Sequence, residues 1–489
     1  MFFRMIVYGA ILAVVPAADG FAQVAESEPL PQSITLNQKD TGYRSIWYMN
    51  QPSHDQYVYK YSGGLGTYCA KHRPFAIYRP EVNKTFFCYG GTTADEQRHL
   101  LHMVSYFDHE TKQVPRPTIL LDKQTDDAHD NPVISMDAEG FIWIFSTSHG
   151  TSRPSYIHRS VRPYDIQQFE LVSAVRIKDD QLVPIDNFSY MQIWFRKDHG
   201  FSAFFTRYGY PAARTICFMR SDDGMQWSPW QRIAAIHQGH YQISAVGKKV
   251  AGTMFNYHPD GKGLNWRTNL YYVQTKDDGH SWTNVQGVPL ALPLTSVENM
   301  ALVRNYEAEG LNVYLKDVQF DSQDRPILLY VTSGGYESGP TNDPRVWTVA
   351  CWTGGEWLFR DITSSDNNYD FGELALVSDD QWRLIAPTES GPQPYNPGGE
   401  VAMWRSEDAG RTWQKQKQLT NNSRHNHTYV RLSQQGHSDF IAFWADGHGR
   451  QPSDASLFFC NADGVVFQLP RTMDSEFATP MPIVSSTNK

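Results

Sequence analysis

Helical periodicity is nearly absent from this chain of 489 residues. Short alternating or apolar runs stand between Gly, Asp, Asn and Pro turns, which excludes a helical bundle and points to an all-β protein. Basic runs are missing as well. There are 43 Lys+Arg against 52 Asp+Glu, for a net charge of −9, so a general polyanion binder such as a nucleic-acid protein is not expected. A local basic pocket for an acidic substrate remains open. Cysteine is scarce: Cys69, Cys88, Cys217, Cys351 and Cys460. Five widely spaced cysteines do not make a disulfide framework. The last four lie in apolar strand-like runs, where buried thiols are the default, and Cys69 lies in a loop. The one sustained apolar run is at the N terminus, residues 5–15 after Arg4. With Gly20-Phe21-Ala22 it reads as a secretory signal over 1–22, cleaved before Gln23, and predicts a secreted or periplasmic protein. That run is too short for a confident membrane span, and nothing later resembles one, so no membrane partner is expected.

What the chain does have is aromatic residues, 13% of the total, with 14 Trp and 26 Tyr. Aromatics favour strands and also stack on sugar rings. The strand-like runs group into seven units of about 45–50 residues, a period that suggests a propeller. Their first strand pairs begin near Arg73, Asn131, Ser189, Tyr241, Asn312, Gly372 and Thr428. The expected architecture is therefore a seven-bladed β-propeller. It has an N-terminal segment at 23–70 packed on it, the propeller at 71–475 and a tail at 476–489. Residues 290–312 and 30–60 resist assignment, which leaves six or eight blades as alternatives.

A second repeat supports the propeller. R-S-D-D-G-M-Q-W at 220–227, T-K-D-D-G-H-S-W at 275–282 and S-E-D-A-G-R-T-W at 406–413 align position for position. They resemble the Asp box of sialidase-type propellers, with Arg at the opening position of the first copy. The Asp can hold the turn between a blade's third and fourth strands, the Gly supplies an unusual φ and the Trp packs between blades. Such a motif marks a fold and says little about activity.

Within a blade, strand A leaves the ligand face and strand B returns to it. The loop before A and the loop after B therefore share one face, and the Asp boxes occupy the other. His280 is thus on the far face from His258, and the two are not paired as metal ligands. On the shared face fall His129 and His149, then Tyr190, Arg207 and Tyr208. His237, His240, Asn256, Tyr257 and His258 follow, with Tyr369, His425, His427 and His448 from later blades. No flanking pair of carboxylates is evident for glycoside hydrolysis; Asp126, Asp127 and Asp130 beside His129 are the only cluster. Sialidases need three arginines, and Y-R-P at 78–80 is not their R-I-P motif. β-Elimination from a uronic acid suits this set better. Arg207 could neutralise the carboxylate, a neutral His could remove the C5 proton and a Tyr phenol could protonate the leaving oxygen. No cofactor is then required for the chemistry.

The Asp boxes together with D-D-A-H-D-N-P, S-T-S-H-G-T, F-T-R-Y and F-N-Y-H resemble the secreted ulvan lyases of marine bacteria, over residues 70–470. The resemblance implies β-elimination in a polymer of 3-sulfated rhamnose and uronic acid, so a sulfated uronic-acid polysaccharide is the expected partner of a monomeric enzyme. It implies catalytic roles for His129, Tyr190 and Arg207, with the base open between His129 and Tyr190. His149, Tyr208, Tyr257 and His258 would bind substrate, with Tyr241 a rival to Tyr257. The family can also carry a structural metal ion, zinc or calcium. The candidate ligands on neighbouring ligand-face loops are Cys69, His72, His425, His427 and His448, a Cys/His set that suits zinc. Two other readings stand beside this one: a sialidase-like glycoside hydrolase and a non-catalytic carbohydrate-binding propeller.

Overall fold

In the computed structural model, residues 34–94, 98–209 and 212–483 are described. The signal segment at 1–22 lies outside them. Seven antiparallel four-stranded units follow one another along the chain. Blade 1 is formed by Ala76–Arg79, Lys84–Gly91, Leu101–Asp108 and Thr118–Asp122, taken as strands A to D. Blade 2 is Pro132–Met136, Ile142–Ser146, Tyr156–Ser160 and Phe169–Leu171. Blade 3 is Ser189–Arg196, Gly200–Tyr208, Arg214–Ser221 and Gln231–Ala234. Blade 4 is Gln242–Val246, Ala251–Tyr257, Thr268–Thr275 and Leu302–Arg304. Blades 5 to 7 begin with strands A at Asn312–Phe320, Glu373–Leu376 and Asn426–His437. Each strand A touches the strand A of the next blade, and that of blade 7 touches that of blade 1. The ring therefore closes at seven. The short strand D of blade 4 explains why residues 290–312 carry little strand signal.

The strands are apolar on both faces because each blade is sandwiched between two others. In blade 3, Phe201, Ala203 and Phe205 pack toward blade 2 with Trp143 and Phe145. Phe204, one residue out of phase, packs toward blade 4 with Trp282 and Ile243. Period-two alternation thus divides one strand between two cores, and the same rule decides below where Arg207 and Tyr208 point.

The three Asp boxes occupy the turns between strands C and D of blades 3, 4 and 6. In blades 4 and 6, Thr275 and Ser406 accept from the backbone N–H of Gly279 (2.8 Å) and Gly410 (2.9 Å). Asp277 and Asp408 each accept from a backbone N–H and a hydroxyl four residues on. The first box departs from the expected alignment. Ser221, not Arg220, caps Gly224 at 2.8 Å, and Asp223, not Asp222, accepts from the Gln226 N–H at 2.9 Å. The blade 3 turn is one residue shorter, so hydroxyl and Asp each move one position toward the glycine.

Residues 35–64 lie outside the seven blades proper. Thr35–Lys39 pairs with the outer strand of blade 1. Trp47–Pro52 and Tyr59–Gly64 form a hairpin laid on blade 7, where Trp47 Nε1 donates to His448 O at 2.8 Å. At Gly64 a Cβ would stand 1.7 Å from Asp446 O, so only glycine allows this approach. The hairpin carries Lys60 and Tyr61 over the end of the propeller axis.

Candidate active site

Asp127 caps a single 3₁₀ turn, Ala128–Asp130, that leads into strand A of blade 2. Its Oδ1 holds His129 Nδ1 at 2.5 Å and its Oδ2 holds His149 Nδ1 at 2.8 Å. The two rings stack at 3.9 Å. Arg153 bridges the same carboxylate (3.3 Å) to Asp130 (2.6 Å). Burial would raise the Asp127 carboxyl, but the two imidazoles outweigh it and hold it far below the usual range. His129 is buried, and burial together with the His149 ring lowers it to about 4. Its Nε2 meets the hydroxyls of Tyr61 (2.8 Å) and Tyr68 (2.7 Å). Both His129 nitrogens are therefore engaged, while His149 keeps 28% of its side chain exposed.

Tyr190 starts strand A of blade 3 at φ +52°, where the pairing with strand B shifts register. Tyr429 repeats this at the start of strand A in blade 7, with φ +47° and a register shift of its own. A bulge with left-handed backbone re-aims a side chain, and both rings line one small pocket at the axis. The Tyr190 hydroxyl accepts from Tyr208 at 2.9 Å, and Arg214 Nε donates to Tyr208 at 3.3 Å. Tyr190 lies 6.3 Å, centre to centre, from His149 and 5.7 Å from Tyr241. Burial pushes its phenol well above the usual value, with Tyr208 and Tyr241 adding to the effect.

Two arginines and two lysines surround Tyr241, and burial lowers both lysines, Lys71 well below its usual value. Lys71 Nζ stands 4.3 Å from its ring centre, the Arg267 guanidinium 4.5 Å and that of Arg214 5.1 Å. Lys60 lines the same pocket. Arg214 and Arg267 are buried, and among the described residues Arg214 Nη1 and Arg267 Nε have no hydrogen-bond partner. Among the described residues no carboxylate figures among the main influences on any of the four. Burial would raise the Tyr241 phenol, but Arg214, Arg267 and Lys60 prevail and lower it. Lys60 is itself pulled down to about 8 by burial. The result is a cationic cup within an acidic protein, floored by a tyrosine poised toward phenolate.

The structure brings His129, His149, Tyr190 and Tyr208 together as expected. It does not bring Arg207. That side chain leaves strand B on the opposite side from Tyr208, donates to Asn187 O at 2.6 Å and lies 4.5 Å over Trp230. Period-two alternation makes this inevitable, and Arg214, opposite Tyr208 in register, takes the place by the tyrosines. Tyr257 is also elsewhere, its hydroxyl bonded to Glu307 and its ring against His237. Tyr241 is the blade 4 tyrosine that reaches the cup. His258 stands against Tyr241 at 5.1 Å, buried, with Nδ1 on Trp266 O and, among the described residues, no hydrogen-bond partner for Nε2. Lys60, Lys71, Arg214, Arg267, Tyr61 and Tyr68 were not singled out from sequence. One signal was available: Arg-Thr opens strand C in both blade 3 and blade 4.

The five expected metal ligands do not meet. His427 uses both nitrogens, on Ser423 Oγ (3.0 Å) and Trp444 Nε1 (2.9 Å). His425 and His448 flank a separate rim pocket, and burial raises the Cys69 thiol to about 11. Among the described residues the groupings with metal-like spacing are Asp127–His129–His149 and His109–His437–Asp439. In the first, each carboxylate oxygen already holds an imidazole. A cavity of about 630 Å³ opens at the other end of the axis, where Arg73 pairs with Asp317 and Glu373, and Arg431 pairs with Glu373. Those ion pairs are mutually satisfied and join strands A of several blades, so we read that end as scaffold.

Seven meander blades with Asp-box turns on one face and a basic tyrosine cup on the other define an Asp-box β-propeller. Comparison with known proteins makes this specific. The chain belongs to the BNR repeat-containing family, whose profile matches residues 86–365. It is similar to the PL25 ulvan lyase of Pseudoalteromonas sp. (strain PLSV), 23% identical over 323 residues, covering 58% of this chain and 61% of that protein. The chain thus spans less than two thirds of that relative. The ulvan lyase of Nonlabens ulvanivorans is 23% identical over 411 residues, 75% of this chain and 81% of its own. A solved PL25 ulvan lyase superposes with a TM-score of 0.65 at 17% identity, covering 86% of this chain and 95% of that one. A second, solved bound to -[GlcA(1-4)Rha3S]-, gives a TM-score of 0.65 at 16% identity with the same coverage. At these identities the likeness establishes the fold.

Proposed function

We propose that this protein is a secreted ulvan lyase that cleaves a polymer of 3-sulfated rhamnose and uronic acid by β-elimination. The observation that carries the reading is the cup: Arg214, Arg267, Lys71 and Lys60 converge on Tyr241, with no carboxylate of the described residues lining the pocket. A uronate carboxylate supplies the missing anion. Seated there, it is neutralised, and the negative charge that develops when C5 loses its proton is stabilised. The ulvan lyases similar to this chain supply the substrate class.

In this reading Tyr241, as phenolate, takes the C5 proton. The electron pair of the broken C5–H bond forms the C4–C5 double bond as the C4–O bond breaks. Tyr190, kept protonated by burial and donated to by Tyr208, gives its proton to the leaving oxygen. His129 is not the base, because Asp127 and two tyrosine hydroxyls occupy its nitrogens. The Asp127–His129 pair holds His149 at the cleft wall, where its exposed edge can donate to or accept from the sugar chain. The site is complete within one chain, which supports action as a monomer.

The test is incubation with ulvan, following the ultraviolet absorbance of the unsaturated uronyl end. A time-dependent rise with falling chain length is expected. Chain shortening without the chromophore would point to hydrolysis, and binding without shortening to a lectin; either overturns the reading.

A further inference from the structure

The face opposite the cup carries a second group of histidines that the lyase chemistry does not use. His109 lies in the turn between strands C and D of blade 1, and His437 and Asp439 lie in the turn between strands A and B of blade 7. His109 and Asp439 are 330 residues apart in sequence. They meet where the ring closes and the first blade meets the last. Strands A of these two blades share a single bridge, Ile77 with Gln434.

The geometry is that of a ligand set. His109 Nδ1 and His437 Nδ1 each stand 3.4 Å from Asp439 Oδ2, and all three ligand atoms lie within 4.8 Å of one another. Ligands at about 2.0–2.1 Å from a tetrahedral zinc ion stand about 3.3–3.4 Å apart. Thr85 Oγ1 holds His109 Nε2 at 2.8 Å, which leaves Nδ1 as the nitrogen facing the group. This is the outer-shell contact that fixes a ligating imidazole. His437 Nδ1 accepts from the Asp439 N–H at 3.1 Å, so it carries the lone pair a metal needs, and the ion would take it over from that N–H. The ring centres lie 3.9 Å apart at a 42° tilt, and the Tyr78 ring packs on both. One cation already sits at the hub: Lys112 Nζ is bonded to Asp439 Oδ2. Its side chain is 54% exposed and can leave, while His437 and Asp439 keep 27% and 31% exposure as an entry path.

We propose that His109, His437 and Asp439 bind a divalent transition metal of the zinc type, with water as fourth ligand, and that the ion clasps blade 1 to blade 7. Lys112 occupies the carboxylate when the metal is absent. Because ligands come from both ends of the propeller sequence, binding stabilises the closed ring by mass action.

Chelator-treated full-length protein is titrated with Zn²⁺ by calorimetry and melted with and without the ion; Co²⁺ serves as the spectroscopic probe. Wild type should bind Zn²⁺, and its melting temperature should rise by about 3–5 °C when the metal is in hundredfold excess over Kd. His437→Ala and Asp439→Asn should weaken this binding at least about tenfold. Lys112→Ala should tighten it, and His149→Ala, which cripples the other His/Asp grouping, should leave it in place. Ulvan cleavage should survive His437→Ala. No binding by wild type, or binding unaffected by His437→Ala and Asp439→Asn, overturns the proposal. So does binding that fails to tighten in Lys112→Ala, an exposed position whose replacement does not endanger folding.

Discussion

His129 and His149 are held by opposite oxygens of one carboxylate, Asp127, with their rings stacked at 3.9 Å. Two imidazoles that close repel when protonated. The carboxylate orients both, while burial and the His149 ring keep His129 neutral against its pull. Asp127→Asn keeps the shape and loses the charge. It should lower kcat on ulvan by about 10–100-fold, the usual cost of removing an orienting partner. The change should come with altered pH dependence of kcat/KM and little change in circular dichroism.

Arg207 and Arg214 make opposite predictions. Arg214→Ala empties one wall of the cup and should cost about 10²–10³-fold in kcat/KM on ulvan. Arg207→Ala should leave turnover within about tenfold of wild type. Its effect should fall on thermal stability, through the lost stack on Trp230. A crippled Arg207 variant beside an active Arg214 variant would restore the assignment suggested by sequence spacing.

Tyr190→Phe should reduce kcat by about 10²–10⁴-fold while leaving polysaccharide binding nearly intact, because a proton donor is lost and the ring is kept. Tyr257→Phe loses only its hydrogen bond to Glu307 and should retain activity. Stopped assays alongside binding measurements separate the two.

Stability should depend on pH in one direction. Burial holds His129, His158, His240 and His427 down at about 4. In the unfolded chain each titrates near about 6.5. Between these values the unfolded state binds more protons, so stability rises with pH there and is lost as pH falls from about 6.5 toward 4. Melting temperatures across that window should decline steadily on acidification. A flat profile would contradict neutral burial of these rings.

The repeat structure was legible because period-two runs, turn residues and three Asp boxes are local signals. The histidine pair was legible for the same reason: Asp127, His129 and His149 belong to one out-and-back strand unit. The cup was not. Lys60 and Tyr61 arrive on a hairpin outside the repeat, and Lys71 on the loop leading into blade 1. Arg214 and Arg267 enter from the starts of strands C, where the repeated Arg-Thr pair is the one local signal in the sequence. Arg207 lies away from the cup because adjacent residues on a strand face opposite ways, and spacing alone does not say which faces the axis. The shortened first Asp box was hidden by a Ser-Asp-Asp sequence that satisfies two alignments.

The central claim is that the cationic cup seats a uronate for elimination. The most direct measurement is the absorbance progress curve of the unsaturated uronyl product from ulvan, run for wild type and Arg214→Ala at equal concentration. The account predicts a steady rise for wild type and a rate lower by about 10²–10³-fold for Arg214→Ala. Equal rates, or no rise with wild type while a known ulvan lyase acts on the same substrate, would contradict it.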